Sequence, residues 1–184
     1  ESMPAGHCMV NLDFTNAFNS LDRGAMLDAV KQRVPGIYKF CHLSYSQPSV
    51  LGYMDRIIMS QEGSQQGDPL GPAMFCSTIQ PLLLSLASEL KEGYMDDLTL
   101  GGPEAQVARD VETVRRKGEA IGLRLNDKKC EFISGTAQSS DPAFQHFVHL
   151  AVDSAELLGA PLTTGPAMDR ALGRRCDDLS RAAS

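Results

Sequence analysis

Two adjacent carboxylates, Asp96 and Asp97, lie between strand-forming residues and most constrain how this chain folds. The segment from Tyr94 to Leu100 has strand-forming flanks on both sides of the pair, which predicts a hairpin with the two acids at its turn. Neighbouring carboxylates in a tight turn repel each other unless cations or water screen them. An isolated acidic pair is commonly a solvated turn, but the apolar flanks here favour acids that project from a buried sheet.

A third carboxylate, Asp13, ends another predicted strand. Residues 9–13 alternate, with Val10 and Leu12 on one face and Asp13 at the end of the other, which is typical of a half-buried strand. If the two strand ends are neighbours, Asp13 and Asp96 would hold two divalent ions about 3.5–4 Å apart, as in-line phosphoryl displacement requires. Magnesium prefers carboxylate oxygens, water and substrate phosphates, so this site needs no histidine or cysteine.

The first half of the chain otherwise predicts helices and one hairpin. Asp22 is placed to cap a helix that ends at Pro35-Gly36. A second helical pattern lies near residues 37–43, and residues 50–59 predict two short strands that turn at Met54-Asp55.

The second half predicts a loop, two helices and further strands. Residues 63–72 form a loop by their glycine and proline content, and a helix then runs from Pro72 to Leu90, kinked or restarted at Pro81. Another helix opens at Pro103 and ends at Gly122. Short strands are predicted at residues 123–125, 130–132 and 156–162, and an arginine-bearing helix is predicted beyond residue 165.

This order of elements predicts an α+β fold in which an antiparallel sheet is covered by helices on one face. The 184 residues suffice for one domain with a proper core, so we expect a domain over residues 1–164 and a helical tail over residues 165–184.

Composition limits the class of protein. With 17 basic and 23 acidic residues, the net charge of −6 argues against a freestanding nucleic-acid binder, because neutralising phosphates requires clustered Lys and Arg. The five cysteines have no paired spacing, which indicates reduced thiols in an intracellular protein. The apolar run 73–90 is interrupted by Pro81 and several polar residues, so it predicts a buried helix and no membrane partner.

Five segments in order resemble the motifs of reverse transcriptases. They are Leu12-Asp13-Phe14-Thr15-Asn16-Ala17-Phe18 (motif A), residues 66–75 beginning Gln66-Gly67-Asp68-Pro69-Leu70 (motif B), Tyr94-Met95-Asp96-Asp97 (motif C), residues 122–129 (motif D), and Leu157-Leu158-Gly159, which leads the primer grip. The ordered set covers roughly residues 9–162. The pattern is most similar to retroelements of the non-LTR kind.

The resemblance implies a polymerase palm and a set of catalytic residues. Asp13 and Asp96 would bind two Mg²⁺ or Mn²⁺ ions, and Asp97 would assist them. Lys129 matches the basic residue that assists the pyrophosphate leaving group, with Lys128 as an adjacent rival.

The resemblance also implies a nucleotide-binding surface. The backbone at Phe14 and Thr15 would face the triphosphate, and Gln66 and Gly67 would lie beside the nascent base pair. Phe18 matches the sugar gate, an aromatic ring that crowds a ribose 2′-hydroxyl. The alternative for Phe18 is an ordinary core residue.

The implied function is an RNA-directed DNA polymerase that uses an RNA or DNA template with a primer and dNTPs. The chain lacks recognisable fingers, and residues 165–184 provide at most the start of a thumb, so a longer product would supply those regions. Two alternatives stay open: a catalytically inert or domesticated remnant that acts as a binding module, and an RNA-dependent RNA polymerase palm. Phe18 disfavours the second, since such enzymes usually have an acid there.

Overall fold

The computed structural model describes residues 3–136, 138–157, 160–162, 164 and 166–182. The strands are β1 (His7–Leu12), β2 (Ser49–Tyr53), β3 (Arg56–Ser60), β4 (Leu90–Tyr94), β5 (Asp97–Pro103), β6 (Glu131–Ser134), β7 (Val148–Ala151), β8 (Glu156–Leu157) and β9 (Ala160–Pro161). The helices are α1 (Ala17–Ser20), α2 (Arg23–Arg33), α3 (Pro35–Tyr45), α4 (Gly71–Leu84), α5 (Glu104–Glu119) and α6 (Pro166–Ala182). No described helix is long and apolar enough to cross a membrane.

A five-stranded sheet in the order β4-β5-β1-β6-β7 forms the centre of the molecule. Its first three pairings are antiparallel, and the last, between β6 and β7, is parallel. The β2–β3 and β8–β9 hairpins are separate two-stranded sheets. The predicted α+β architecture with an antiparallel-dominated sheet is therefore confirmed.

Alternation along β1 separates the two faces of this sheet. Val10 and Leu12 belong to the main core, into which α2, α4 and α5 also bury residues. Met9, on the other face, joins Ile133 and Ala155 in a small second cluster. Because successive strand residues point to opposite faces, Asn11 and Asp13 also lie on this second face.

Several predicted boundaries differ from the structure. Helix α4 continues through Pro81 but ends at Leu84 and not at Leu90, because the chain turns away to enter β4. Pro35 ends α2 as predicted, yet it also begins α3. Residues 123–125 form only an isolated bridge between Leu125 and Phe14 instead of a strand.

The segment predicted as a last strand forms the short β8–β9 hairpin, and Leu158 and Gly159 of the primer-grip segment lie outside the described residues. Asp22 caps α2 as predicted, accepting a hydrogen bond from the Ala25 amide at 2.7 Å.

Candidate active site

The β4–β5 hairpin carries the acidic pair as predicted. Tyr94 and Asp97 are the last paired residues, so Met95 and Asp96 form a two-residue turn, with Met95 at φ 56°. All of β4 is exposed, which corrects the expectation of a hairpin buried on both sides of the acids. Asp96, in the turn, and Asp97, the first residue of β5, line two different cavities.

Strand register brings Asp13 beside Asp97. Leu12 pairs with Leu98 across β1 and β5, so the next position on each strand is one of these acids. Both carboxylates line a cleft of about 260 Å³ together with Lys129. The other residues of this cleft are Asn11, Leu12, Leu98, Thr99, Glu131 and Leu157.

The electrostatics of the cleft reflect the crowded acids. Partial burial raises the pKa of the Asp97 carboxyl, and the nearby charges of Asp96 and Asp13 raise it further. Each of these effects disfavours the ionised form of Asp97. A cation between the carboxylates would therefore relieve an unfavourable interaction of the folded protein.

Asp96 lines a different cavity, of about 490 Å³, beneath the loop that precedes α4. Its other lining residues are Asn16, Ala17, Phe18, Asn19, Ser64, Gln65, Gln66, Gly67, Asp68, Pro69, Gly71 and Pro72. The structure places Asp97 beside Asp13, and the sharing of ions between Asp13 and Asp96 stays a prediction.

Across the described part of the chain, no three His, Cys, Asp or Glu side chains converge as a preformed metal group. Mg²⁺ and Mn²⁺ are usually held by one or two carboxylates and by substrate phosphates. Asp13 and Asp97 in the cleft, and Asp96 in the neighbouring cavity, are the residues that could hold such an ion.

Phe18 lies at the edge of the cavity that contains Asp96. Its ring stacks on Phe75 with centroids 4.7 Å apart and an interplanar angle of 27°. Phe18 is half-buried, so one face of the ring packs on the core and the residue also lines the cavity. Both interpretations of this residue, sugar gate and core packing, have a structural basis.

Gln66 and Gly67 lie together on the exposed loop above the same cavity. Gly67 has φ +88°, and a Cβ added there would meet nothing within 4 Å. The left-handed backbone favours glycine here, and the open space around it leaves room for the close approach to the nascent base pair that we expect.

The backbone beside Asp13 is already hydrogen-bonded. The Thr15 amide donates to the Arg124 carbonyl at 2.9 Å, and the Asn126 amide donates to the Asp13 carbonyl at 2.8 Å. Of the two amides that we expected to face the triphosphate, Phe14 and Thr15, that of Thr15 thus has a partner within the protein.

Of the two candidate lysines, Lys129 lines the cleft with Asp13 and Asp97, and Lys128 is not among its lining residues. Both are exposed on the turn after Asn126, whose carbonyl accepts from the Lys129 amide at 2.8 Å. This turn fixes which of the two neighbours faces the acids.

Our sequence reasoning missed a polar network on the floor of the cleft. Asn11 donates to Glu131 at 2.9 Å and to the Glu156 carbonyl at 3.2 Å, and accepts from Thr99 at 3.0 Å. The alternation that put Asn11 on the same face as Asp13 was a usable signal for Asn11. Glu131 and Thr99 join it only through strand pairing.

Comparison with solved structures supports the fold. Apo telomerase from Candida tropicalis matches with a TM-score of 0.56 and 14% identity, over 75% of this chain and 30% of that chain. Telomerase from Candida albicans in complex with a fragment of telomeric RNA matches with a TM-score of 0.54 and 14% identity, over 77% of this chain and 28% of that chain. At these identities the likeness concerns the fold alone.

Sequence comparison gives the family. The retrotransposable element SLACS 132 kDa protein of Trypanosoma brucei gambiense is 24% identical over an alignment of 139 residues that covers 70% of this chain and 12% of the relative. The chain thus spans about an eighth of the length of that relative. The family described as reverse transcriptase (RNA-dependent DNA polymerase) matches residues 1–162. With its acids at adjoining strand ends and most of its length matched, the chain belongs to the reverse transcriptase family.

Proposed function

We propose that this chain is the palm of an RNA-directed DNA polymerase from a retroelement, and that it transfers the nucleotidyl group of a dNTP to a primer 3′-hydroxyl, with release of pyrophosphate, by a two-metal reaction. The observation that carries the proposal is the cleft in which Asp13, Asp97 and Lys129 meet, where β1 and β5 adjoin. Membership of the family and the retrotransposon relative support the reaction class and the source.

Asp13 and Asp97, which line the cleft, and Asp96, which lines the neighbouring cavity, would hold Mg²⁺ or Mn²⁺. When bound, these ions supply the positive charge that stabilises an in-line phosphoryl displacement. Lys129 lies in the same cleft, where its ammonium group neutralises or protonates a leaving pyrophosphate.

The nucleotide occupies the adjacent cavity. Phe18 contacts its sugar there, and Gln66 and Gly67 contact the nascent base pair. The Phe14 backbone and the neighbouring Thr15 lie at the end of β1 on the triphosphate side, where the Thr15 amide exchanges its bond to Arg124 for a phosphate oxygen.

The template, RNA or DNA, and its primer need cationic surfaces that a chain with net charge −6 does not provide alone. We propose that fingers and thumb regions of a longer product supply them inside the cell. The telomerase that matches in complex with telomeric RNA supports a nucleic-acid partner for this fold.

Within the chain, we propose that residues 1–164 form the palm and residues 165–184 begin the thumb. Helix α6 contacts β9, buries Ala171 and pairs Arg174 with Glu156, while most of its described side chains are exposed. A chain that ends at residue 164 should melt within about 2–4 °C of the whole, as expected for the loss of about 1 kcal/mol. If the truncated chain shows no cooperative thermal unfolding, α6 is instead an integral part of the palm.

Nucleotide binding tests the function directly. Isothermal titration of dTTP should give a saturable signal with Mg²⁺ or Mn²⁺ and none with EDTA. The Asp13→Asn variant should abolish the signal, whereas Asp55→Asn, in the exposed β2–β3 turn, should retain it. Primer extension on an RNA template with dNTPs is measured in the polymerase that contains this segment. Extension should likewise be lost in Asp13→Asn and retained in Asp55→Asn.

Two outcomes would support the alternatives. Metal-independent binding of nucleic acid, with neither dTTP binding nor extension, indicates an inert remnant that acts as a binding module. Extension that requires ribonucleotides indicates an RNA-dependent RNA polymerase.

A further inference from the structure

Arg23 is a buried cation at the start of α2, with 7% of its surface exposed. Its guanidinium donates to the Gly63 carbonyl, the Ser60 carbonyl and the Ser60 hydroxyl, each at 2.9 Å. No ion pair of Arg23 with a carboxylate is found among the described residues. The Arg23 guanidinium therefore fixes the backbone that leads into the loop of residues 63–68.

Tyr45, at the end of α3, holds the other end of this loop. The Arg23 guanidinium lies over its ring, 5.1 Å from the centroid. The Tyr45 hydroxyl donates to the Asp68 carboxylate and accepts from the Gln65 amide at 3.2 Å. Burial and the bond to Asp68 raise the pKa of Tyr45 to about 12, so the hydroxyl stays protonated and remains a donor.

The beginning of the loop is also fixed by backbone contacts. The Gly63 amide donates to the Leu21 carbonyl at 2.8 Å, and the Ser64 amide donates to the Phe18 carbonyl at 3.0 Å. Gly63 has φ +61°, and a Cβ there would lie 2.2 Å from the Phe18 carbonyl oxygen, so only glycine fits. This end of the loop is thus attached to the segment that carries Phe18.

The middle of the loop is more exposed than its two ends. Gln66 and Gly67 are exposed, and they line the cavity that Asp96 also lines. The bonds from Arg23 and Tyr45 therefore end on either side of these two residues. A loop fixed at both ends and exposed in the middle presents its central backbone in one place at low entropic cost.

We propose that Arg23 and Tyr45, here called the loop clamp, are positioning residues that fix the 63–68 loop so that Gln66 and Gly67 contact the incoming nucleotide. The contact with the nucleotide rests on the proposed function. The mechanical part, that Arg23 and Tyr45 fix the loop, concerns the loop alone. Neither residue touches the reacting atoms; both act through the backbone of the loop.

Hydrogen exchange tests the mechanical part without any activity. Tyr45→Phe keeps the ring and removes the hydroxyl that the Gln65 amide and the Asp68 carboxylate use. Arg23→Lys keeps the charge but replaces the planar fork that reaches three acceptors with a single ammonium. Amides of residues 63–68 should exchange about tenfold faster in both variants, with strand β1 unchanged. The matched control is Tyr38→Phe on the same helix, whose hydroxyl lies 3.4 Å from the His42 ring.

Kinetics test the positioning role. In the active polymerase, Tyr45→Phe should raise the KM for dNTP severalfold and leave kcat near the wild-type value, because the loop contacts the nucleotide and not the reacting phosphate. A purely structural role would instead lower the active fraction at unchanged KM, and Tyr38→Phe should change neither constant.

Each result is decisive. Loop exchange in Tyr45→Phe equal to wild type, or faster exchange spread over the whole sheet, overturns the clamp. Faster loop exchange with unchanged KM overturns its role toward the nucleotide. If the wild-type protein binds no dNTP, the polymerase proposal fails by itself, and the exchange data still decide whether the clamp holds the loop.

Discussion

The thiol of Cys130 lies directly behind the first acid of the cleft, Asp13. The Asp13 amide donates to the Cys130 sulfur at 3.4 Å, and the thiol donates to the Asp13 carbonyl at 3.7 Å. Burial raises the pKa of Cys130 to about 11, so the thiol stays protonated and keeps both contacts. Asp13 is thus supported from within the core by a side chain that never reaches the cleft surface.

Replacing this thiol should therefore weaken the fold. Cys130→Ala leaves the part-buried Asp13 amide without its acceptor, which costs about 1–3 kcal/mol. Urea unfolding measures the loss. The control is Cys76→Ala, since Cys76 is exposed and its removal should change stability by less than about 0.5 kcal/mol. Equal stability of the two variants would show that the contact with Asp13 contributes nothing.

Divalent ions should stabilise the protein by relieving repulsion around Asp97. Since the pKa of this carboxyl is raised, its ionised form is disfavoured in the folded state, and this cost persists above the folded pKa and disappears as the pH falls below it. At neutral pH, Mg²⁺ or Mn²⁺ at ten times its dissociation constant should raise the melting temperature by about 3–5 °C.

Asp97→Asn should raise the melting temperature without metal and reduce the response to Mg²⁺. The control is Asp55→Asn in the exposed β2–β3 turn, which should respond to Mg²⁺ like the wild type. A wild-type melting curve that does not move in millimolar Mg²⁺ or Mn²⁺ would contradict the metal site and favour an inert remnant.

Phe18→Ala separates sugar selection from core packing. If the ring excludes a ribose 2′-hydroxyl, the variant in an active polymerase should incorporate ribonucleotides at least tenfold better relative to deoxynucleotides, about 1.4 kcal/mol of lost discrimination. Loss of the stack on Phe75 should also lower stability by about 3 kcal/mol or less, since Phe18 is only half-buried. Incorporation ratios and melting temperatures measure the two effects.

The comparison for Phe18 is Phe144→Leu, a fully buried ring in the core beside Phe132. It should lower stability and leave the sugar preference unchanged. Lost stability with unchanged sugar preference in Phe18→Ala as well would make Phe18 a core residue and nothing more.

Asp110 anchors the segment that leads into the acidic hairpin. Its buried carboxylate accepts from the amides of Ala87 and Ser88 at 2.8 and 2.6 Å, and from the Ser88 hydroxyl at 2.6 Å. Asp110→Ala leaves these donors unpaired and should cost about 2–4 kcal/mol in urea unfolding. Glu119→Ala, exposed on the same helix, should cost less than about 0.5 kcal/mol. A similar small loss for both would refute the anchoring role.

Asp110 also explains where the sequence misled us about α4. The apolar run predicts a helix to Leu90, but the helix ends at Leu84, and the amides of Ala87 and Ser88 bond to the Asp110 carboxylate more than twenty residues away. Helix propensity depends on nearby residues, so it cannot reveal such a long-range contact. The exposure of β4 escaped prediction similarly, since its apolar flanks are the same whether a strand lies at the edge or in the middle of a sheet.

The sequence by itself determined the local elements and the family. Alternation predicted that Asp13 follows β1, and the flanks of Asp96 and Asp97 predicted the hairpin, because periodicity and turn chemistry act over short stretches of chain. The order of the motifs identified the family. Tertiary structure decided which groups meet. The register of β1 against β5 put Asp97 beside Asp13, and the turn after Asn126 put Lys129 in the cleft with them. In a strand, a shift of one residue moves a side chain to the opposite face, and only pairing with a distant strand fixes that register.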